Sequence, residues 1–171
     1  MSSNTPYVRA YIGLGSNLSS PLQQVRQAIT ELAQLAESQL YAVSRIYCSR
    51  PMGPADQPDY INAVVAIDTR LPPLALLDAL QAIENGHGRK RGAVQWGART
   101  LDLDLLLFGD SVINGPRLTV PHPGMYERSF VLRPLADIAP SLMLPGGESL
   151  KALCDALSEE GLEALAEGTQ D

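Results

Sequence analysis

The chain has 171 residues, of which 45% are hydrophobic and 19% charged, so one compact domain spanning residues 1–171 is expected, with a core that needs no metal or disulfide. A net charge of −6 argues against a protein that binds nucleic acid nonspecifically along its length. Cys48 and Cys154 are too few and too far apart for a disulfide framework or a zinc site, which predicts packed thiols in a reducing cytoplasm. The start of the chain lacks a signal-peptide pattern, and no apolar run reaches the ~20 residues that span a bilayer.

The positive charge is concentrated in one segment. Residues 85–101 contain no acidic residue and four basic ones, Arg89, Lys90, Arg91 and Arg99. The rest of the chain is strongly acidic. Arginine predominates over lysine throughout, which favours planar, bidentate contacts to phosphate or carboxylate. A local basic segment on an acidic protein suggests a small polyanionic ligand.

The hydrophobic pattern of the first half predicts strands and helices in alternation. A two-residue period over residues 7–12 predicts a strand, which Gly13–Asn17 should end as a tight turn. Ser20 and Pro21 offer an N-cap and a first helical position for a helix with one apolar stripe. A second strand is expected over residues 42–48 and a third over residues 60–69. The third strand should place its apolar residues on one face and Tyr60, Asn62 and Val64 on the other.

The second half continues the pattern. Pro72 and Pro73 should open a helix that ends near Gly86, followed by a loop rich in glycine and arginine. A strong strand covers residues 101–108 and a short one lies near residues 118–120. Helices are expected over residues 129–138 and, as an amphipathic acidic helix broken near Gly161, over about 149–167. The order β, α, β, β, α, β predicts an α+β fold, a ferredoxin-like sandwich with helices packed on a largely antiparallel sheet.

The strand over residues 101–108 carries two carboxylates. On a strand, Asp102 and Asp104 share a face about 6.6 Å apart, whereas their leucine neighbours, residues 101, 103, 105 and 107, should enter the core together. Such a pair suits Mg²⁺, which takes one or two carboxylates and completes its shell with water and phosphate. An exposed acidic edge strand is the alternative reading.

The basic loop lies just before this acidic pair. A divalent cation beside guanidinium groups matches the charge of a polyphosphate, and the loop's glycines would let it close over a ligand. A solvated basic loop remains the alternative. Gly13–Asn17 lacks the Gly-Lys-Ser/Thr ending of a phosphate-binding loop. His122, between two prolines, is either structural or a contact to phosphate or ribose.

Six ordered motifs resemble the 6-hydroxymethyl-7,8-dihydropterin pyrophosphokinases of folate biosynthesis, over about residues 11–140. The motifs are Gly15-Ser16-Asn17-Leu18, residues 53–63, Gly88-Arg89 with Arg91, Trp96 to Asp104, Val120-Pro121-His122-Pro123, and Arg128 with Phe130. The core Arg-Thr-Leu-Asp-Leu-Asp is highly specific to that family. The chain departs from the usual pattern at Ala98, where proline is common, and at Arg50, where a small or apolar residue is common.

The resemblance implies that ATP donates its terminal two phosphates to the pterin's hydroxymethyl group, leaving AMP. By that likeness Asp102 and Asp104 hold two Mg²⁺ ions, and Arg89 and Arg99 act with them in catalysis. The nucleotide would contact Glu84, Arg89, Arg91, Trp96, Arg99, His122 and Arg128. The pterin would contact Ser49, Met52, Gly53, Tyr60, Asn62, Trp96 and Phe130.

The residues themselves agree with parts of this implication. Tyr60 and Asn62 share one strand face, so an aromatic platform and an amide can touch one flat ligand. Core packing is the alternative for Tyr60 and Phe130, and no general base emerges from the sequence. We expect a single-function cytoplasmic monomer that binds small molecules and neither nucleic acid nor membrane. The alternatives are a noncatalytic pterin- or nucleotide-binding module and a metal-dependent nuclease, which the overall acidity disfavours.

Overall fold

A computed structural model of the chain describes residues 5–17, 20–49, 60–87, 101–157 and 162–165. The strands of its main sheet are β1 (Val8–Ser16), β2 (Ser38–Val43), β3 (Tyr47–Ser49), β4 (Tyr60–Thr69), β5 (Asp102–Phe108) and β8 (Leu162–Ala164). Between β5 and β8 lie β6 (Ile113–Asn114) and β7 (Thr119–Val120), which form a small hairpin. The helices are α1 (Pro21–Ala33), α2 (Pro73–Gly86), α3 (Ser129–Ile138) and α4 (Leu150–Ala156).

The main sheet has the predicted topology. β1 lies between β5 and β4 and is antiparallel to both. One half of β4 pairs with β2 and the other half with β3, whose outer edge is covered by β8. The order β5-β1-β4-β3, with α1 and α2 as the connecting helices, confirms the ferredoxin-like α/β sandwich.

Helices cover both faces of this sheet. α1 and α2 pack on one face, with a core that includes Ile12, Val65 and Leu105. α3 and α4 pack on the opposite face, called here the α3 face, with a core that includes Val64, Leu106 and Leu132. The predicted division of the third strand is therefore confirmed, because its odd-numbered apolar residues join the first core and Val64 joins the second.

Two predicted boundaries are wrong in the first half of the chain. The first strand does not end at Gly13 but continues to Ser16, with Gly13 and Gly15 paired on both sides. Ser20 makes no side-chain cap to α1 and has a left-handed backbone with φ of 61°.

The predicted second strand is divided into β2 and β3 at Ser44. The Ser44 N–H donates to the Val64 carbonyl at 2.9 Å, and the Ser44 hydroxyl accepts from the Val64 N–H at 2.9 Å. A side-chain oxygen thus takes the place of a ladder carbonyl, and the strand is interrupted there.

A β-bulge changes the predicted alternation of β5. Tyr11 pairs with Leu107 but Ile12 pairs with Leu105, so Leu106 is the extra residue. Leu106 and Leu107 both join the core of the α3 face, and Phe108 returns to the other core. The expectation that Leu107 enters the same core as Leu105 is therefore wrong, whereas it is confirmed for Leu101 and Leu103.

The C-terminal segment is not one helix. α4 ends at Ala156, and Leu162–Ala164 forms β8, which pairs with β3. The Leu165 N–H also donates to the Ile46 carbonyl at 2.8 Å, and Leu165 packs against the core of the α1 and α2 face. The open edge of β3 offers unpaired backbone groups, and pairing with them outweighs the helical spacing of the leucines.

The predicted packed thiols are confirmed. Cys48 is half-buried in β3, Cys154 is buried in α4, and both are free. Among the helices that the structure describes, none is long and apolar enough to cross a membrane.

A buried tyrosine ties β3 to α3. The Tyr47 ring is 3% exposed, and its hydroxyl donates to Asp137 Oδ2 at 2.8 Å. Arg45 donates to the same hydroxyl at 2.9 Å and to Asp137 Oδ1 at 3.0 Å. Burial, followed by the Asp137 carboxylate, raises the pKa of Tyr47 to about 12.

This raised pKa predicts a pH-dependent contribution to stability. A tyrosine whose pKa is higher in the folded chain stabilises it fully below about pH 10 and loses that effect as the pH rises through about 12. Tyr47→Phe should lower the free energy of unfolding by about 1 kcal/mol at pH 8. Urea unfolding of both proteins between pH 8 and 12 should show the difference shrinking, and a constant difference would contradict this assignment.

Candidate active site

Two carboxylates stand at one end of the α3 face. Asp102 and Asp104 lie on β5 opposite Gly15 and Gly13 of β1, respectively. Both are partly exposed, and the Asp104 side chain is 47% exposed. Leu103 between them is buried in the other core, which confirms the prediction that the two aspartates share a face.

Two glycines form the floor beside these carboxylates: Gly15 is half-buried, and Gly13 is buried next to the Leu106 side chain. Gly15 pairs with Asp102 on one side and with Asn62 of β4 on the other. Because neighbouring strands lie about 4.8 Å apart, the backbones of Asp102 and Asn62 are roughly 10 Å apart. Gly15 contributes no side chain between the Asp102 carboxylate and the Asn62 amide, and Asn62 Oδ1 lies 3.3 Å from the place that a Gly15 Cβ would take. This row of carboxylate, glycine and amide is called the trough here. Glycine inside a strand often marks the close approach of a ligand.

The amide side of the trough is fixed by a buried hydrogen bond. Asn62 is 4% exposed and Ser49 8%, and Asn62 Nδ2 donates to Ser49 Oγ at 2.7 Å. Ser49 pairs in turn with Tyr60, which is half-buried on the same face as Asn62. The structure thus brings together Ser49, Tyr60 and Asn62 of the predicted pterin set.

His122 stands at the outer edge of β5. Its backbone N–H donates to the Leu106 carbonyl at 3.0 Å, and its ring Nδ1 accepts from the Gly124 N–H at 3.1 Å. The Nδ1 bond leaves Nε2 as the protonated nitrogen of a neutral ring. Nε2 lies 3.9 Å from Asp104 Oδ1. The ring therefore offers an N–H donor beside the acidic pair.

Arg128 and Phe130 lie where α3 begins. Arg128 is exposed, and its guanidinium packs over Gly124, where an added Cβ would come within 2.9 Å of Arg128 Cζ. The same Cζ lies 5.9 Å from the centre of the half-buried Phe130 ring. Since His122 is close to Gly124, a short turn connects His122 and Arg128 at this end of the sheet.

The structure gives Glu84 a contact that the sequence analysis did not predict. It is 5% exposed on α2, and its Oε2 accepts from the Leu103 N–H at 2.7 Å. The carboxylate therefore holds the backbone of β5 between the two aspartates. A role for Glu84 in nucleotide contact stays a prediction.

The acidic pair fits a hydrated divalent cation by its donor chemistry. Two partly exposed carboxylates on one face are hard oxygen donors that can share a cation with water and phosphate oxygens. Among the residues that the structure describes, no group of three or more acidic, histidine or cysteine side chains converges on one point. This donor set suits Mg²⁺ shared with a phosphate better than a closed protein cage.

Six predicted site residues lie outside the described ranges. They are Met52, Gly53, Arg89, Arg91, Trp96 and Arg99. Ala98 and Arg50, where the sequence departs from the family pattern, also lie outside them.

Sequence reasoning missed the role of the glycines. Gly13 and Gly15 are two residues apart, the period of a strand face, and this spacing was the available signal. No comparable signal pointed to the contacts of His87 with Gln24 and Glu31, because they join the end of α2 to α1 across a long sequence separation.

Comparison with known sequences identifies the family. The sequence model described as 7,8-dihydro-6-hydroxymethylpterin-pyrophosphokinase (HPPK) matches residues 11–140. The 2-amino-4-hydroxy-6-hydroxymethyldihydropteridine pyrophosphokinase of Pseudomonas aeruginosa is 54% identical over 157 residues, covering 92% of this chain and 96% of that protein. The Haemophilus influenzae protein of the same name is 50% identical, with 92% and 98% covered.

Solved structures agree at the level of the fold. The Plasmodium falciparum HPPK-DHPS A437G structure with SDX-DHP superposes with a TM-score of 0.71 at 14% sequence identity. The match covers 90% of this chain and 46% of that longer chain. The family match and the two relatives establish that the chain belongs to the 7,8-dihydro-6-hydroxymethylpterin-pyrophosphokinase family.

Proposed function

We propose that the trough between Asp102 and Asn62 is the site of pyrophosphoryl transfer from ATP to 6-hydroxymethyl-7,8-dihydropterin. The products are the pterin diphosphate and AMP, and the reaction is a step in folate biosynthesis. The observation that carries this proposal is the register of three strands, which places a carboxylate, a glycine and an amide in one row. The row offers cation ligands at one end and a hydrogen-bonding partner for a flat heterocycle at the other.

Asp102 and Asp104 would hold two Mg²⁺ ions along the triphosphate. When bound, these ions supply positive charge that offsets the negative charge of the transferring phosphates. The protein's contribution is to hold both carboxylates on one rigid strand, where they need little rearrangement before the reaction. His122 Nε2, 3.9 Å from Asp104 Oδ1, would donate to a phosphate oxygen or a ribose hydroxyl.

The arginines and the tryptophan supply the rest of the nucleotide site in this proposal. Arg89, Arg91, Trp96 and Arg99 come from the basic segment, and Arg128 from the start of α3. Guanidinium groups bind phosphate oxygens in pairs and neutralise charge that develops during transfer. Glu84 would line the nucleotide side of the site.

The pterin side would use ring stacking and amide recognition. Tyr60 and Phe130 would hold the pterin between their faces, and Asn62 would pair with its polar edge. Ser49 orients the Asn62 amide through their 2.7 Å hydrogen bond. Met52, Gly53 and Trp96 would complete this pocket.

The transfer itself is one displacement at phosphorus. The hydroxymethyl oxygen of the pterin forms a bond to the β-phosphorus and releases its proton to solvent. The bond from the β-phosphorus to the oxygen bridging it to the α-phosphorus breaks, and AMP leaves with that oxygen. Orientation of both substrates across the trough would account for much of the rate, because phosphoryl transfer depends mainly on positioning and charge stabilisation.

The assay that tests this proposal supplies ATP, Mg²⁺ and the dihydropterin alcohol and resolves the nucleotides. AMP formed in equal amount with pterin diphosphate is the expected result. ADP would contradict pyrophosphoryl transfer, and binding of both substrates without turnover would indicate a noncatalytic module instead.

The glycine floor makes a further prediction. A Cβ on Gly15 would lie 3.3 Å from Asn62 Oδ1, closer than side chains usually allow. Gly15→Ala should therefore displace the Asn62 amide and raise KM for the pterin by up to about tenfold, the value of one hydrogen bond.

Gly13→Ala is the matched control for this experiment. Its Cβ would meet Leu106 at 3.5 Å, an ordinary contact. We expect KM for the pterin to change by less than about twofold, since no hydrogen-bonding group is displaced. Steady-state kinetics with varied pterin measures both variants. Equal changes in KM for the two variants would show that the effect of Gly15→Ala does not come from displacement of the Asn62 amide.

We further propose that the chain acts as a monomer in the cytoplasm. The pair of free, packed cysteines fits a reducing compartment and supports the cytoplasmic location. Sedimentation equilibrium at micromolar concentration should give the mass of one chain.

A further inference from the structure

A buried cluster on the opposite side of the sheet is unused by the proposed reaction. His87 directly follows α2, and its side chain is 6% exposed. Its Nε2 lies 2.5 Å from Glu31 Oε1, and its Nδ1 contacts Gln24 Oε1. Both partners belong to α1, so one imidazole ties the end of α2 to α1.

From this cluster, hydrogen bonds and the side chains between them lead to β5, the strand that carries Asp102 and Asp104. The backbone N–H of His87 donates to the backbone carbonyl of Glu84 at 3.1 Å. Glu84 Oε2 accepts from the Leu103 N–H at 2.7 Å. Leu103 is the residue between Asp102 and Asp104. These three bonds, linked through the covalent frames of His87 and Glu84, connect Glu31 to Leu103.

The position of β5 gives this connection its importance. β5 is the terminal strand of the main sheet, paired with β1 on one side. A terminal strand has backbone groups that no neighbouring strand satisfies, and its position is correspondingly less constrained. Glu84 satisfies one of these groups at Leu103, so a shift of the α2 terminus would shift the backbone that carries both carboxylates.

We infer that Glu31 and His87 are positioning residues for the Asp102–Asp104 pair, acting through Glu84. The inference rests on the proposed function, because it assigns the cation ligands to these aspartates. Neither Glu31 nor His87 touches a substrate in this arrangement. Their effect is to hold α2 at the distance at which Glu84 reaches the Leu103 N–H.

The test compares His87→Ala and Glu31→Ala with a variant at the far end of the same sheet. Asp68→Asn weakens the ion pair in which Arg9 Nε lies 2.5 Å from Asp68 Oδ1, on β1 and β4. Chemical denaturation measures the stability lost by each variant. Amide hydrogen exchange of Leu103, followed by NMR in the substrate-free protein, reads the strand position directly.

We expect His87→Ala and Glu31→Ala to speed Leu103 exchange by about tenfold, the effect of one weakened hydrogen bond. Mn²⁺ binding by electron paramagnetic resonance, with a nonhydrolysable ATP analogue, should weaken by about three- to tenfold, while KM for the pterin stays within twofold. The double variant should add little to either single variant, because both remove the same connection. Asp68→Asn should change neither Leu103 exchange nor Mn²⁺ binding.

Two outcomes would overturn the inference. One is unchanged Leu103 exchange and Mn²⁺ binding in both His87→Ala and Glu31→Ala. The other is equal changes in Asp68→Asn at matched loss of stability, which would reduce the effect to global destabilisation. A wild-type protein that forms no AMP would contradict the proposed function alone, since Leu103 exchange is measured without substrate.

Discussion

Replacing Asp104 with alanine should abolish pyrophosphoryl transfer and leave the fold intact. The Asp104 side chain is 47% exposed and lies on β5 opposite Gly13, outside both apolar cores. In the proposed site, its loss would remove a fixed negative ligand for Mg²⁺ at the triphosphate. Loss of one preorganised electrostatic group lowers kcat by about 10²- to 10³-fold, and loss of a metal ligand should lower it at least as much.

Single-turnover and steady-state assays of AMP formation measure this effect. Asp102→Ala should behave in the same way, because its carboxylate lies on the same face of β5. Asp110→Ala is the matched control, since Asp110 is an exposed carboxylate just beyond the end of β5. Circular dichroism should show native structure in all three variants. Unfolding of Asp104→Ala, or turnover near the wild-type rate, would refute its placement as a ligand.

Replacing Asn62 with alanine should damage pterin recognition selectively. Asn62 is 4% exposed, so its amide is already desolvated and oriented by Ser49 before a ligand binds. Without the Asn62 amide, the polar edge of the bound pterin would be buried without hydrogen-bond partners. Each unsatisfied polar group would weaken binding by about 1–3 kcal/mol. We expect kcat/KM for the pterin to fall by about 100-fold, with KM for ATP within twofold of wild type.

Ser49→Ala separates recognition from orientation. It removes the acceptor at 2.7 Å from Asn62 Nδ2 and leaves the amide itself in place. We expect a fall of only about five- to tenfold in kcat/KM for the pterin, near the value of one hydrogen bond. Equal losses in the two variants would mean that Asn62 acts through the packing of β3 and β4 and not by contact with the pterin. Thermal unfolding of both variants checks that the comparison is made on folded protein.

Much of the site could be predicted because its signals are local. The alternation around Asp102 and Asp104 is a property of consecutive residues, and the strand period alone places both on one face. The same reasoning placed Tyr60, Asn62 and Val64 together on β4. The order of strands and helices was also readable, since helical and strand periods differ over a few residues. The roles of residues in the basic segment came from resemblance, and those residues stay predictions.

Other features depended on partners distant in the chain. Gly13 and Gly15 could form a turn by their own preference, but β4 and β5 pair with them on both sides and keep them in the strand. Leu162–Ala164 has helical spacing, yet the open edge of β3 makes it a strand. The bulge at Leu106 and the interruption at Ser44 likewise arise from pairing with β1 and β4, respectively.

The sequence by itself determined the family, the fold class and the face that carries the acidic pair, because each of these is encoded in short-range patterns and ordered motifs. The tertiary structure alone decided that Asn62 lies across a glycine floor from Asp102, and that Glu84 holds Leu103. These relations join residues 19 or more positions apart. Backbone hydrogen bonds and buried polar groups must be satisfied by whichever segment packs nearby, and only the folded chain specifies that segment.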